Sequence, residues 1–495
     1  MDDKDKRISE LEAQLKAALD KNEQLEAKIA ALESALGSSQ KNSNNSSKPP
    51  SSDIVKPPKP KGKGRRKRKI GAQKGHKKHS RIPFTEDQLD NIINLTLDSC
   101  PKCSGTLTLT SEPPKVNQQV ELVNRKYIIT EYRQLQYLCD DCQRVHFALR
   151  PPELKSGLFG ANLIAVTAYL KGHCHMSYTT LRDHFRDLYG ICVSTGFLAN
   201  QIRKASRALQ APYDELLNQL PNEESLHIDE TGGKENGERR WIWCFRSRQF
   251  TLFHIDVSRG HIVLKEILGT DYPGIIICDF HGAYRRYIRL YKALLQLCWA
   301  HLIREVKYIS QSKIRRVSNW ANRLLAEIGL MFKTIRRRGD ILESTWYRRM
   351  LDHRDEILRL AWHRLPDDND AYNIAVRLWN WQCSYFRFID SGVPPTNNLA
   401  EQAIRQVVID RKITQGTRSC CGNRWQERIW TVLSTCAQTG RNVLSFLRGI
   451  AKKFDLTCRM KSFYHVIVCL TCSLGTVSKS NFRCWESRRQ ICQPY

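Results

Sequence analysis

The sequence predicts a multidomain chain of mixed α+β and α/β class, and three observations predict it. Heptad-spaced apolar residues open the chain and give way to a polar, then strongly basic, stretch. Two C-x-x-C pairs follow. Beyond about Leu226 the helical spacing of apolar residues yields to short β-branched and aromatic runs. A length of 495 residues leaves room for two to four domains, and a hydrophobic fraction of 41% suits a folded protein with a core.

The charge is far from ordinary. A formal net charge of +29 and a pI near 9.6 call for a polyanionic partner. Nucleic acid is the expected one, with an acidic membrane surface as the rival. No apolar run reaches the length of a membrane span; "FYHVIVCLTCSLG", from Phe463, is too short and too polar. The start, "MDDKDKRISE", lacks the features of a signal peptide, so a cytoplasmic location is expected. Eighteen cysteines in a reducing compartment are then free thiols or metal ligands.

Residues 6–36 read as a coiled coil. Ile8, Leu15, Asn22, Ile29 and Leu36 share one heptad position, and Leu11, Ala18, Leu25 and Leu32 its partner. A single Asn at such a position fixes register and a low oligomer number, so a homo-oligomer is expected; a lone amphipathic helix is the plainer alternative. Residues 37–81 form a linker, first Ser/Asn/Pro-rich and unable to bury a core, then basic. Thirteen Lys or Arg and no acid fall between Lys56 and Arg81, with Arg65, Arg66, Lys67, Arg68 and Lys69 in an unbroken run. Such a run neutralises phosphates without reading sequence.

Residues 95–148 carry Cys100 and Cys103, then Cys139 and Cys142, on either side of a strand-like segment. Four thiolates on two knuckles suit a tetrahedral, structural Zn²⁺ in a zinc ribbon; a redox C-x-x-C is the rival. Residues 157–215 read as helical. Gly190 breaks the pattern and Ser194 is placed to cap the next helix, the outline of a helix-turn-helix DNA-binding segment.

From about Leu226 the chain reads as strand ("SLHIDET"), two strands ("RRWIWCFRSRQFTLFHID"), helix ("HIVLKEIL") and an apolar strand ending on Asp279 ("GIIICDF"). That order is the one expected of a ribonuclease-H-like core, here over 222–308 and 394–450, with 309–393 as a helical insertion.

Asp229 and Asp279 are expected at the ends of neighbouring strands. Together with Glu401 in "NNLAEQAIRQVVIDRK" they would set three carboxylates at one sheet edge. Hard oxygen ligands at that density suit Mg²⁺ or Mn²⁺, and two ions about 3.5–4 Å apart can clamp the attacking and leaving oxygens of a phosphodiester. Each acid also has a plainer reading. Asp229 could be an ordinary strand-end residue and Asp279 a turn former. Glu401 would fall three residues after an N-cap Asn398 and could pair with Arg405.

Taken together, the coiled coil with "NSSKPPSSD", then "GAQKGHKKHSR", "CPKC…CDDC", "HIDETG", "CDFHGAY", "CWAH" and "NNLAEQAIRQVVIDRK" resemble, in order, the landmarks of DDE transposases of the insertion sequence 66 family, over about Arg7 to Phe454. The resemblance implies a bacterial, metal-dependent enzyme acting on double-stranded DNA. It would cut at an element's terminal repeats and join the freed 3′ hydroxyl to target DNA, alone or with accessory proteins of the same element, and would associate with the nucleoid when bound. Asp229, Asp279 and Glu401 match the family's triad, and Cys298 and His301 its C-x-x-H pair, which is expected to be structural or substrate-positioning. Arg405, Arg411 and Lys412 are candidate phosphate contacts, with simple surface charge as the alternative. The tail, 455–495, departs from the family's usual ending, and its five cysteines show no clear ligand spacing. A non-catalytic DNA-binding protein or a degenerate copy is the alternative reading.

Overall fold

The computed structural model describes residues 158–456 continuously, strands Gln136–Leu138 and Val145–Phe147, and the isolated positions Lys16, Lys21, Gln24, Thr85 and Asp87. The first three of these isolated residues are helical. The rest of the expected coiled coil, the linker with Arg65–Lys69, Cys100, Cys103, Cys139 and Cys142, and the tail beyond Leu456 lie outside the described residues. All the elements below belong to one compact unit.

Two short strands, β1 (Gln136–Leu138) and β2 (Val145–Phe147), pair antiparallel. Four helices follow: α1 (Ala161–Gly172), α2 (Tyr178–Tyr189), α3 (Thr195–Ala208) and α4 (Gln210–Gln219). Their ends are written locally. The hydroxyls of Ser177 and Ser194 accept from the N–H groups of Thr180 and Phe197, and Gly190 closes α2 at φ 65°, where a side chain would be strained. Phe159, Leu181, Phe185 and Leu198 form a small core beneath this helical pair. The opposite face of α3 leaves Arg203, Lys204 and Arg207 exposed.

A five-stranded mixed sheet follows, in the order β5-β4-β3-β6-β7. Its strands are β3 (Ser225–Glu235), β4 (Glu238–Arg246), β5 (Thr251–Asp256), β6 (Ile275–Cys278) and β7 (Leu294–Leu297). Helices α5 (His261–Leu268) and α6 (Gly282–Tyr291) make the crossovers. Pairing is antiparallel on the β4 side of β3 and parallel on the β6 side. The strand expected to stop at its acids does not. β3 runs on past Asp229 to Glu235 and turns into β4 through Asn236 and Gly237, both at positive φ (49° and 88°). That is the two-residue Asn-Gly turn whose twist matches paired strands.

The β5 edge is covered from one helix. In α12 (Cys420–Thr439), Glu427, Thr431 and Thr435 accept from the backbone N–H groups of Ile255, Phe253 and Thr251 at 2.7, 3.1 and 3.2 Å. Four helical residues rise about 6 Å and two strand residues about 6.6 Å, so a period of four on the helix meets a period of two on the strand. An edge left open would invite pairing with another chain.

Between β7 and the return of the chain lie α7 (Trp299–Ile309), α8 (Arg315–Arg336), α9 (Glu343–Trp362) and α10 (Asn369–Asn380), followed by two short helical turns over residues 382–391. Trp320 and Trp346 are buried here, with their indole N–H groups on the carbonyls of Ala361 and Thr334. The chain then comes back as α11 (Asn398–Thr414), packed on β3 and β4, and ends the described part with α12 and α13 (Val443–Leu456). Among the described residues no helix is long and apolar enough to cross a membrane.

Candidate active site

Parallel pairing of β3 with β6 ends at His227 opposite Ile277. Asp229 and Asp279 each stand two residues past that last pair, so the register sets them level although fifty positions separate them. Asp229 is therefore in mid-strand rather than at a strand end; what ends beside it is the parallel neighbour. Its Oδ1 accepts from the N–H of Glu230 at 2.9 Å, and Asp279 Oδ1 accepts from the N–H of His281 at 3.0 Å. Glu401 enters in the first turn of α11.

The three carboxylates feel one another. Burial pushes the Asp229 carboxyl well above the ordinary range, and the negative charges of Glu230, Asp279 and Glu401 push it further. Burial, then Glu230, raises Asp279 to about 7. Glu230 is a fourth acid, passed over in sequence because adjacent Asp-Glu pairs are common. Its side chain is 1% exposed and accepts from Arg259 Nε at 2.9 Å and from the Tyr284 hydroxyl at 2.5 Å. Its charge is thus matched, whereas no cation is within ion-pair distance of Asp229 or Asp279 among the described residues.

The plainer reading of Glu401 is corrected on both counts. The N-cap of α11 is Asn397, not Asn398, which places Glu401 one residue later than a capping arrangement needs. Its partner is not Arg405 but Arg304 on α7, whose Nη2 donates to both carboxylate oxygens at 3.0 and 3.2 Å. Arg405 and Lys412 are exposed, while Arg411 donates to Thr231 Oγ1 at 3.0 Å and to the Gly232 carbonyl, fastening α11 to β3.

Asn397 is the residue that sequence reasoning missed most completely. It is 1% exposed, and its amide donates to the Ile228 carbonyl at 2.7 Å while its Oδ1 lies 3.1 Å from His227 Nδ1. Burial lowers His227 to about 4, so the ring is neutral and can donate this bond from Nδ1. The Asn397 N–H meets Cys298 Sγ at 3.1 Å, and the Cys298 N–H donates to the Cys278 carbonyl at 2.8 Å. The Glu401 N–H donates to the Asn397 carbonyl at 3.3 Å. The side chain of this one buried residue holds the backbone next to Asp229, while its own backbone N–H and carbonyl link to Cys298, and so to the backbone next to Asp279, and to Glu401.

Two donor sets share Glu401. One is all oxygen: Asp229, Asp279 and Glu401. Its raised carboxyls mark negative charge that the protein leaves uncompensated, and hard carboxylate oxygens fit Mg²⁺ or Mn²⁺. The other is mixed: the ligand atoms of Cys298, His301 and Glu401 all lie within 4.8 Å of one another. Burial raises the Cys298 thiol to about 11 and lowers His301, so the sulfur is protonated at neutral pH and the imidazole uncharged. His301 Nδ1 lies 3.6 Å from Glu401 Oε1, too far for a hydrogen bond.

Residues 156–424 match the model of a family described as "Transposase IS66 family", and residues 2–82 match a family of unknown function (DUF6444). The chain is also similar to an uncharacterized protein, y4hP, of Sinorhizobium fredii. The two are 23% identical over 399 residues, which span 73% of this chain and 71% of that protein.

Proposed function

The chain belongs to the transposase IS66 family, whose model matches just over half of it, and from that premise we propose a DDE-type transposase that binds the terminal repeats of an insertion element, cleaves them and transfers the freed ends to target DNA. The observation that carries this reading is the convergence of Asp229, Asp279 and Glu401, from two strands and a distant helix, close enough for their charges to act on one another. The strand order β5-β4-β3-β6-β7, with β3 antiparallel to β4 and parallel to β6, supports a ribonuclease-H-like core.

The three carboxylates would hold Mg²⁺ or Mn²⁺, two ions in the full site. Bound there, these cations supply charge neutralisation and polarise the phosphodiester. The chain's own part is placement. Register sets Asp229 against Asp279, Asn397 and Cys298 fix the backbones, and Arg304 orients Glu401 from one side. A carboxylate has about four acceptor positions, so the Arg304 bonds leave others for a cation. Glu230, held by Arg259 and Tyr284, acts on Asp229 and Asp279 from beside them without being spent on a ligand role.

Other parts of the chain take supporting roles in this reading. The coiled coil over residues 6–36 brings copies together, and Cys100, Cys103, Cys139 and Cys142 hold a structural Zn²⁺. Arg65–Lys69 and the exposed Arg405 and Lys412 meet phosphates. The exposed Arg203, Lys204 and Arg207 of α3 add a basic helix face.

The test is incubation of the purified protein with Mg²⁺ and labelled DNA bearing the terminal repeats of its own locus, beside Asp279→Asn and Glu401→Ala. Cleavage at the repeat ends that both substitutions abolish, with DNA binding retained, is the expected result. A non-catalytic DNA-binding protein would bind in all three forms and cut in none.

A further inference from the structure

We propose that the groove where α6, α7 and α10 meet holds an unpaired nucleotide of the DNA strand being processed; this rests on the transposase reading above. Phe280 follows Asp279 directly, so the groove wall is joined to the acid site by a single peptide link. Its centroid is 4.3 Å from the Arg285 guanidinium and 4.8 Å from that of Arg377, and the Trp381 ring meets it edge-on at 5.8 Å. Arg289 stands 5.9 Å from the Trp381 centroid. The groove encloses about 590 Å³, within the range of small-ligand sites.

The composition is what single-stranded nucleic acid requires: aromatic faces for a base, with cations beside them for its phosphate. Two features separate this cluster from ordinary packing. Trp243, Trp299, Trp320, Trp346 and Trp430 are all fully buried, whereas Phe280 and Trp381 stay half-buried on the groove wall, as Trp241 does elsewhere, and unlike the exposed Trp362 and Trp379 they carry guanidinium groups over or beside their rings. The cations are also unequally committed. Arg377 is neutralised by Glu305, at 2.7 and 3.3 Å, while Arg285 and Arg289 meet no carboxylate within ion-pair distance among the described residues. Buried Arg285 Nε has no hydrogen-bond partner at all. Asp370 lines the same groove, so the surface is not uniformly basic and does not suit a duplex backbone lying along it. A paired base cannot offer its face to Trp381 without leaving the stack, which selects for an unpaired one.

The experiment uses the full-length protein and a forked DNA duplex with 5-iodouracil placed either in the unpaired arm or in the paired stem. On irradiation, the unpaired arm is expected to crosslink to Phe280 or Trp381 at several-fold higher yield than the stem. Trp381→Ala should lose the crosslink to the groove and Trp381→Phe should keep it. Arg289→Ala, an exposed change that spares the fold, should lower the preference for forked over blunt DNA several-fold. Crosslinks that map elsewhere, or a yield unmoved by Trp381→Ala with the fork still bound, would overturn the proposal alone. If wild-type protein binds neither fork nor blunt duplex, the transposase reading falls with it.

Discussion

Asp229 and Asp279 carry carboxyls raised by burial and by neighbouring acids, and the sign of that shift gives a prediction. A carboxyl raised in the fold favours its protonated form. Its stabilising contribution is complete below the ordinary carboxylate range and is lost as pH rises through about 7 for Asp279. A bound divalent cation removes the penalty on the charged form. The rise in Tm produced by Mg²⁺ should therefore be small near about pH 6 and grow toward about pH 8. A Mg²⁺ increment that is flat with pH, measured by thermal unfolding, would count against these two acids as ligands. Asn397 offers a second residue-scale test. Asn397→Ala strands the buried Ile228 carbonyl and removes the side-chain link between the start of α11 and the strand that carries Asp229, leaving the backbone bonds to Cys298 and Glu401 in place. It should cost about 1–3 kcal/mol of stability and raise the Mg²⁺ concentration needed for half-maximal cleavage. A stability loss with no change in Mg²⁺ dependence would reduce Asn397 to a packing residue.

Among elements, the α12–β5 contact is the least expected and the most open to test. Its three acceptors come from one helix at a spacing of four and satisfy alternate N–H groups of an edge strand. Thr431→Val keeps the shape and removes the acceptor, leaving the Phe253 N–H buried and unpaired, so denaturant unfolding should show a loss of about 1–3 kcal/mol. Thr439→Val, whose hydroxyl serves only its own helix, should stay within about 0.5 kcal/mol. Equal effects would mean that the edge is not held this way. Several elements were legible beforehand for local reasons: Ser194 and Gly190 mark helix ends by side-chain capping and left-handed backbone, and the unbroken Ile275–Cys278 run reads as a buried strand. The length of β3 was misjudged because Gly232 and Gly233 look like a break. The Asn236-Gly237 turn that extends the hairpin was in plain view.

For the whole molecule, charge decides the approach to DNA. With a net charge of +29, binding should weaken steeply with salt, the logarithm of affinity falling by about 0.9 per phosphate neutralised for each unit of log salt. Replacing Arg65, Arg66, Lys67, Arg68 and Lys69 with Gln should flatten that slope by about 4.5 if all five meet duplex phosphates. An unchanged slope would take the basic linker out of the interface. The same substitutions should leave cleavage chemistry alone once DNA is saturating, because the three acids stand on β3, just past β6 and on α11, none of which includes these residues.

Composition, heptads, caps, apolar runs and the order of motifs are local properties, and each survives being read one window at a time. They sufficed for the mixed α/β class of the chain and for nominating the three candidate acids. Who stands next to whom is not a local property. That Arg304 rather than Arg405 takes Glu401, that Asn397 turns inward to Ile228 and His227, and that Glu427 reaches the edge of β5 all depend on contacts across 97 to 172 positions of chain. A buried polar group must find a partner wherever the packing puts one, and only the folded chain determines which residue that is.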